Sequence, residues 1–156
     1  GLRMAALHTD KLPRWREVMN PNLVWNIEQG LKLSAEDAAR AETLRTELWA
    51  RVRKFFARYD LILTPTVAVP PFPVEMPYPK EIDGRPMANY IEWVLPTYAF
   101  TMVGLPAISV PAGWTADGLP VGLQIVGRWR GEASVLRAAA AFEAAAPWAD
   151  KLPPLG

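Results

Sequence analysis

The chain has no cysteine and a single histidine, His8, in 156 residues. Without thiols there is no disulfide, thiolate metal centre or cysteine nucleophile, and nothing in the composition calls for an oxidising compartment. A cytoplasmic setting is therefore expected. One histidine excludes a two-histidine metal site, so neither metal nor cofactor is expected. Charge of one sign is lacking too. Lys and Arg number 17 against 16 Asp and Glu, a formal net charge of +1, which offers no basic excess to nucleic acid or an anionic membrane. No apolar run approaches the roughly 20 residues that span a bilayer, and the first residues carry no signal-peptide pattern. The glycines of Gly118 to Arg128, GLPVGLQIVGR, follow no dinucleotide fingerprint and lack the Lys-Ser/Thr ending of a phosphate loop. Only Ser34, Ser109 and Ser134 remain as candidate serine nucleophiles.

What is present is apolar and rigid: 51% hydrophobic residues, 16 prolines and 7 tryptophans, enough for a core with aromatic anchors and stiff connections. Gly1 to Asn20 has scattered charge and no start signal, so residues 1–33 are expected to continue from upstream sequence. His8, with no carboxylate cluster near it, reads as solvated. Leu23, Val24, Trp25 and Ile27 suggest one or two helical turns. Ser34 with Asp37 three residues on is an N-cap pair, and Ala41, Leu44, Leu48, Val52, Phe55 and Tyr59 follow at helical steps. A long helix from Ser34 to Tyr59 is predicted. Its many arginines read as a solvated face balanced by acids.

Leu61 to Thr64 reads as a buried strand in the grammar of an α/β layer. The prolines between Val67 and Pro86 predict an extended loop without regular structure, and loops of that length are usually functional. Its Phe72, Met76 and Tyr78 either line a pocket or seal the loop down. Ile82 to Arg85 reads as a turn. Met87 to Val103 predicts two short helices broken at Pro96, with unpaired backbone groups at the break. Ala107 to Val110 and Val121 to Val126 flank an Asp117-Gly118 turn signal and predict an antiparallel hairpin covered on both sides. Pro106 and Pro111 should confine pairing to the residues between them. Gln124, inside such a strand, needs partners and should tie the hairpin to a neighbouring loop. A last helix is predicted from Ala133 to Ala146, burying Val135, Leu136, Ala139, Ala140 and Phe142, before a tail from Lys151 that frays.

The order Gly104-Leu-Pro-Ala-Ile-Ser-Val-Pro-Ala-Gly113, a loop, then Gly118-Leu-Pro-Val-Gly-Leu-Gln-Ile-Val-Gly127, with Asp60-Leu-Ile-Leu-Thr-Pro-Thr66 upstream, resembles the C-terminal third of the amidase signature hydrolases. The resemblance runs from about Leu31 to Glu143. It implies an α/β fold in which this chain holds part of a mixed sheet, the hairpin plus one further strand, covered by helices. It also implies a metal-independent activity that cleaves a linear carboxamide to acid and amine. The family's serine-rich segment and catalytic lysine belong ahead of Gly1, so no catalytic residue is expected here and the missing N-terminal portion becomes the expected partner. By position the resemblance implicates Thr97, Tyr98, Phe100, Thr101 and Trp129 in substrate binding. Thr97, Tyr98, Phe100 and Trp129 should share one concavity with the Val67 to Pro86 loop. Many members have asparagine at Thr101, and the amidotransferase relatives carry an acid near Trp93 and Val94. With no charge expected in that segment, an apolar or aromatic acyl group is predicted. Exposed sheet edges predict self-association into a homo-oligomer. The alternative is a non-catalytic structural or interaction module of the same descent.

Overall fold

The computed structural model describes residues 1–151, so residues 152–156 of the expected frayed tail lie outside the described residues. Two compact units meet within one helix, at Glu47 and Leu48. In the first, α1 (Leu2–His8) leads through a 3-10 turn at Thr9–Lys11 to the single-turn α2 (Leu12–Trp15). It then continues to α3 (Pro21–Leu31), which is longer than the one or two turns expected. The overlooked signal is Asn20-Pro21. The Asn20 side chain accepts from the Asn22 amide at 2.9 Å, and proline at the first helical position supplies a preset φ. α1 packs on α3 through buried Ala5 and Ile27. They cross so closely that a Cβ on Gly30 would lie 2.2 Å from the Gly1 carbonyl oxygen.

α4 (Ala35–Phe56) begins at the predicted cap. Asp37 donates its amide to Ser34 Oγ at 3.0 Å, while the Asp37 carboxylate accepts from the Ser34 amide at 2.9 Å and hydroxyl at 2.8 Å. These bonds, the backbone one first, hold the Asp37 carboxyl below its ordinary pKa. The predicted stripe is only partly correct. Leu44, Phe55 and Tyr59 are exposed, whereas Leu48, Trp49, Val52 and Phe56 are half-buried. Aromatic packing explains the outliers. Phe55 and Tyr59 stack on each other at 4.5 Å instead of entering a core.

The sheet has the order β1 (Leu61–Pro65), β5 (Pro120–Gly127), β4 (Ala107–Trp114) and is antiparallel throughout. Leu63, Ile125 and Ile108 are aligned across it, as are Thr64, Gln124 and Ser109 one residue away. Because side chains alternate, the first row shares a face with Leu123 and Val110 and the second occupies the opposite face. The apolar face receives α6 (Glu132–Ala145), giving a core of Val110, Ile125 and Ala139 joined by Ile108, Leu123 and Phe142.

Several expectations need correction here. The hairpin is covered on both sides only along β5, where Gln124, Ile125 and Val126 are all buried; on β4 Ala107 and Ser109 are exposed, and Leu63 on β1 is 58% exposed. Nor does α4 pack along the strands as α6 does. Pro111 does not stop β4, which continues to Trp114 through a register shift between Pro111 and Gly113. An edge strand with an irregularity tolerates proline. On α6, Leu136 and Ala140 face outward, because Val135, Ala138, Ala139 and Phe142 already fill the stripe facing the sheet.

The hairpin turn closes with the Gly118 amide on the Thr115 carbonyl at 3.0 Å, and Gly118 takes a φ of +79° that other residues resist. The proline-rich loop is also not devoid of regular structure. It holds a two-stranded ribbon, β2 (Glu81–Ile82) and β3 (Arg85–Pro86), turned by Asp83 and Gly84 at φ +49° and +73°. No helix among the described residues is long and apolar enough to cross a membrane.

Replacing Ser34 by alanine should destabilise the chain by about 1 kcal/mol, the usual value of an N-cap. Asp37 binds protons more weakly when folded, so its contribution is present above the unfolded carboxyl pKa of about 3.9 and lost as pH falls through the lower folded value. Ser34→Ala keeps the backbone bond to the carboxylate and loses the hydroxyl's, so urea titrations of wild type and variant should differ most at pH 6 and by less in acid, where the uncharged cap bond from the Asp37 amide still separates them. Gly127→Ala places a Cβ 2.5 Å from Val135 Cγ2 and should cost about 1–3 kcal/mol through overpacking, measured in the same titrations.

Candidate functional site

β5 holds the one buried polar side chain among the described residues, Gln124, which is 4% exposed. Its amide nitrogen donates to Thr64 Oγ1 at 3.0 Å and to the Pro96 carbonyl at 2.9 Å. Both hydrogens are thereby placed, as a buried amide requires. The second bond reaches the first turn of α5 (Leu95–Thr101), not a loop as expected. Pro96 does not break a helix there. It sits where a helix start has no amide partner to lose, directly after a 3-10 turn at Glu92–Val94. Nor are the nearby carbonyls unpaired, since that of Val94 accepts from Thr97 Oγ1 at 2.7 Å.

Thus fixed, α5 presents Tyr98 to a cavity of about 420 Å³ whose wall includes Ala68, Ile82, Arg85, Met87 and Glu92. The β2–β3 turn carries Arg85 back to this cavity. Glu92 is held in place by accepting from the Ala88 amide at 2.9 Å and from Asn89 Nδ2 at 3.5 Å. The segment is therefore not free of charge, contrary to expectation, for a cation and an anion line Tyr98's cavity. The cue for Arg85 was the Asp-Gly pair at 83 and 84, which reverses the chain within two residues. A second, apolar cavity of about 370 Å³ is lined by Val67 to Phe72, Trp93 and Val121. Phe72 meets Trp93 edge to face at 5.2 Å, which pins the loop, and Ala68 lines both cavities.

The residues singled out by sequence therefore divide. Tyr98 lines the cavity of about 420 Å³. Thr97 spends its hydroxyl on Val94, Thr101 is exposed and donates to the Thr97 carbonyl at 3.2 Å, and Phe100 is half-buried with its carbonyl accepting from Leu105. The single concavity expected for Thr97, Tyr98, Phe100 and Trp129 does not form with Trp129. That ring lines a separate groove with Trp49, Phe56 and Leu105, because the turn after β5 leaves the sheet at the end opposite Gln124's contact with β1.

The three serines are each engaged. Ser34 caps α4, Ser109 shares a hydrogen bond of 2.7 Å with Thr66 Oγ1 across Gly122, and Ser134 accepts from Arg137 at 3.1 Å. No lysine or histidine hydrogen-bonds any of them among the described residues.

Residues 5–136 match the Amidase family profile. An acylamidase of Rhodococcus erythropolis is 42% identical over 132 residues, which cover 84% of this chain and 28% of that protein. One glutamyl-tRNA(Gln) amidotransferase component, from Thermodesulfovibrio yellowstonii, is 38% identical over 116 residues, covering 74% of this chain and 22% of that one. Among solved structures, a bacterial aryl acylamidase of the amidase signature family superposes with a TM-score of 0.83 at 30% identity, covering 96% of this chain and 32% of that one. A 6-aminohexanoate cyclic dimer hydrolase gives 0.80 at 25% identity, with 99% and 34% covered. The chain thus spans about a fifth to a third of the length of these relatives. With the sheet order, the hairpin and the Gly-Leu-Pro motifs in place, this chain belongs to the amidase family, of whose longer members it corresponds to one part.

Proposed function

We propose that this chain is the C-terminal part of an amidase that cleaves a linear carboxamide to acid and amine, completing the sheet and lining the acyl pocket without a nucleophile of its own. The 42% identity to an acylamidase across 84% of the chain carries the reading. The engaged serines support the division of labour, since an activated nucleophile needs a base within hydrogen-bond reach. Nucleophile and base would come from sequence ahead of Gly1, the chain's principal partner, and on this reading their chemistry needs neither metal nor cofactor. The cysteine-free composition supports a cytoplasmic setting.

Tyr98 is the residue we assign to contact the acyl group, with Thr97, Phe100 and Thr101 shaping the wall behind it. Trp129, lining a separate groove, is left out of that pocket. Arg85 and Glu92 favour a small-molecule amide whose acyl group pairs an apolar body with a polar end. The outer edges of β1 and β4, which have no strand partner among the described residues, favour pairing with further strands of the complete protein or with a second copy.

Purified alone, the chain should hydrolyse no amide and take no label from a fluorophosphonate. Stoichiometric labelling abolished by Ser109→Ala would overturn the reading. In the complete enzyme, Tyr98→Ala should change the ratio of kcat/KM for aromatic against small aliphatic amides by about tenfold, the scale of a lost buried contact. An unchanged ratio would remove Tyr98 from the pocket. An upstream reading frame without a serine-rich segment would assign the chain instead to the structural-module alternative. Light scattering on the isolated chain should report a mass above the monomer, and a strict monomer would count against sticky edges.

A further inference from the structure

The groove that holds Trp129 belongs to neither cavity beside α5. It is about 250 Å³ in volume, with Trp49, Phe56, Leu105 and Trp129 as its apolar wall and Arg53 and Arg128 on its lining. Trp49 and Trp129 meet edge to face, 6.3 Å between centroids at 79°. This leaves two indole surfaces at nearly a right angle. On Trp129 a third guanidinium, that of Arg130, sits 4.2 Å from the ring centroid. Arg130 does so from a φ of +60°, in a turn closed by the Gly131 amide on the Arg128 carbonyl at 2.8 Å. That backbone region disfavours residues with a Cβ. Trp129 is nonetheless 53% exposed, so a ring braced from two sides still offers surface to solvent.

The charge is unbalanced. No acid lines the groove. The Arg53 side chain makes no hydrogen bond or ion pair among the described residues. Arg128 has one contact, to Asp60 at 3.1 Å, and both partners are largely exposed, a pairing of small worth that water competes for. Guanidinium is a planar fork suited to a carboxylate. A volume below the about 300–1,000 Å³ of drug-sized sites suits a single ring.

We propose that this groove binds a small aromatic carboxylate, the ring packed into the corner that the two indoles form and the carboxylate held by Arg53 with Arg128. The site is independent of the amidase reading, because none of its lining residues belongs to the Tyr98 cavity.

Benzoate is the probe, titrated into the intact chain while the indole N–H resonances are followed by NMR, the Trp129 signal being assigned through Trp129→Phe. Benzoate should shift the Trp49 and Trp129 signals saturably. Benzyl alcohol, which keeps the ring, and acetate, which keeps the charge, should each bind at least about tenfold more weakly, the scale of one charge-assisted contact. Arg53→Gln should weaken benzoate by about tenfold and Arg53→Lys by less, with both variants retaining the wild-type amide spectrum because position 53 is exposed. Shifts that grow linearly without saturating, benzyl alcohol binding as tightly as benzoate, or an Arg53→Gln variant that binds like wild type would each overturn the assignment. So would saturable shifts confined to residues around Tyr98.

Discussion

The amide of Gln124 has two hydrogens to place and almost no water to give them to. An unpaired buried amide costs about 1–3 kcal/mol, and the need to avoid that ties together three elements distant in sequence: β5, β1 through Thr64, and α5 through the Pro96 carbonyl. The same requirement guards register. A slip of one residue would turn Gln124 onto the α6 face, among Val110, Ile125 and Ala139, and put Ile125 where the hydroxyls are. From this one side chain follow the alignment of the hairpin with β1 and the position of α5, hence of Tyr98.

The sheet is chemically two-sided for the same reason. Its α6 face is aliphatic, while the other carries Thr64, Gln124 and Ser109 in a row, with Thr66 joined to Ser109. Gly122 makes that last contact possible, since a Cβ there would lie 2.6 Å from Thr66 Oγ1 and 2.7 Å from Ser109 Oγ. The buried apolar set of the second unit is correspondingly small: Leu105, Val110, Ile125, Val126, Val135 and Ala139. A sheet whose second face sets hydroxyls beside a fully buried Val126 suits a chain that corresponds to about a third of its structural relatives. Hydroxyls can pair with each other or with later neighbours, whereas exposed aliphatic side chains could only aggregate.

Around this frame the proline-rich loop makes concave surface from stiff backbone. Proline removes amides and restricts φ, so the loop keeps an extended course, and it lines a cavity together with Pro120 to Gly122 at the start of β5. Phe72 against Trp93 and the Asp83-Gly84 ribbon fix it at two points. Two of the cavities it lines share Ala68 as a partition. The turn after β5 builds a further concavity by another route, aromatic against aromatic with guanidinium above.

Local chemistry was legible in the sequence. Ser34 with Asp37 starts a helix, Asp117-Gly118 turns a hairpin, Leu61 to Thr64 forms a strand, and the Gly-Leu-Pro segments carry the family, because each of these signals is read by the backbone within a few residues. The reversal at Gly84 was legible as a turn in the same way, and the Asn20-Pro21 start, equally local, is carried by its cap residues alone. Which face of a helix is dry was not available in that way. Leu44 and Leu136 have the right spacing for burial but the wrong neighbours, and burial depends on what another element brings to that side. The sites followed the same rule. Tyr98 was singled out by its place before the hairpin and lines a cavity, yet that Arg85 and Glu92 would share that cavity, and that Trp129 would not, depended on packing. Periodicity and turn chemistry are short-range and survive in the sequence, whereas the meeting of side chains in a cavity is a property of packing and exists only once the chain has closed.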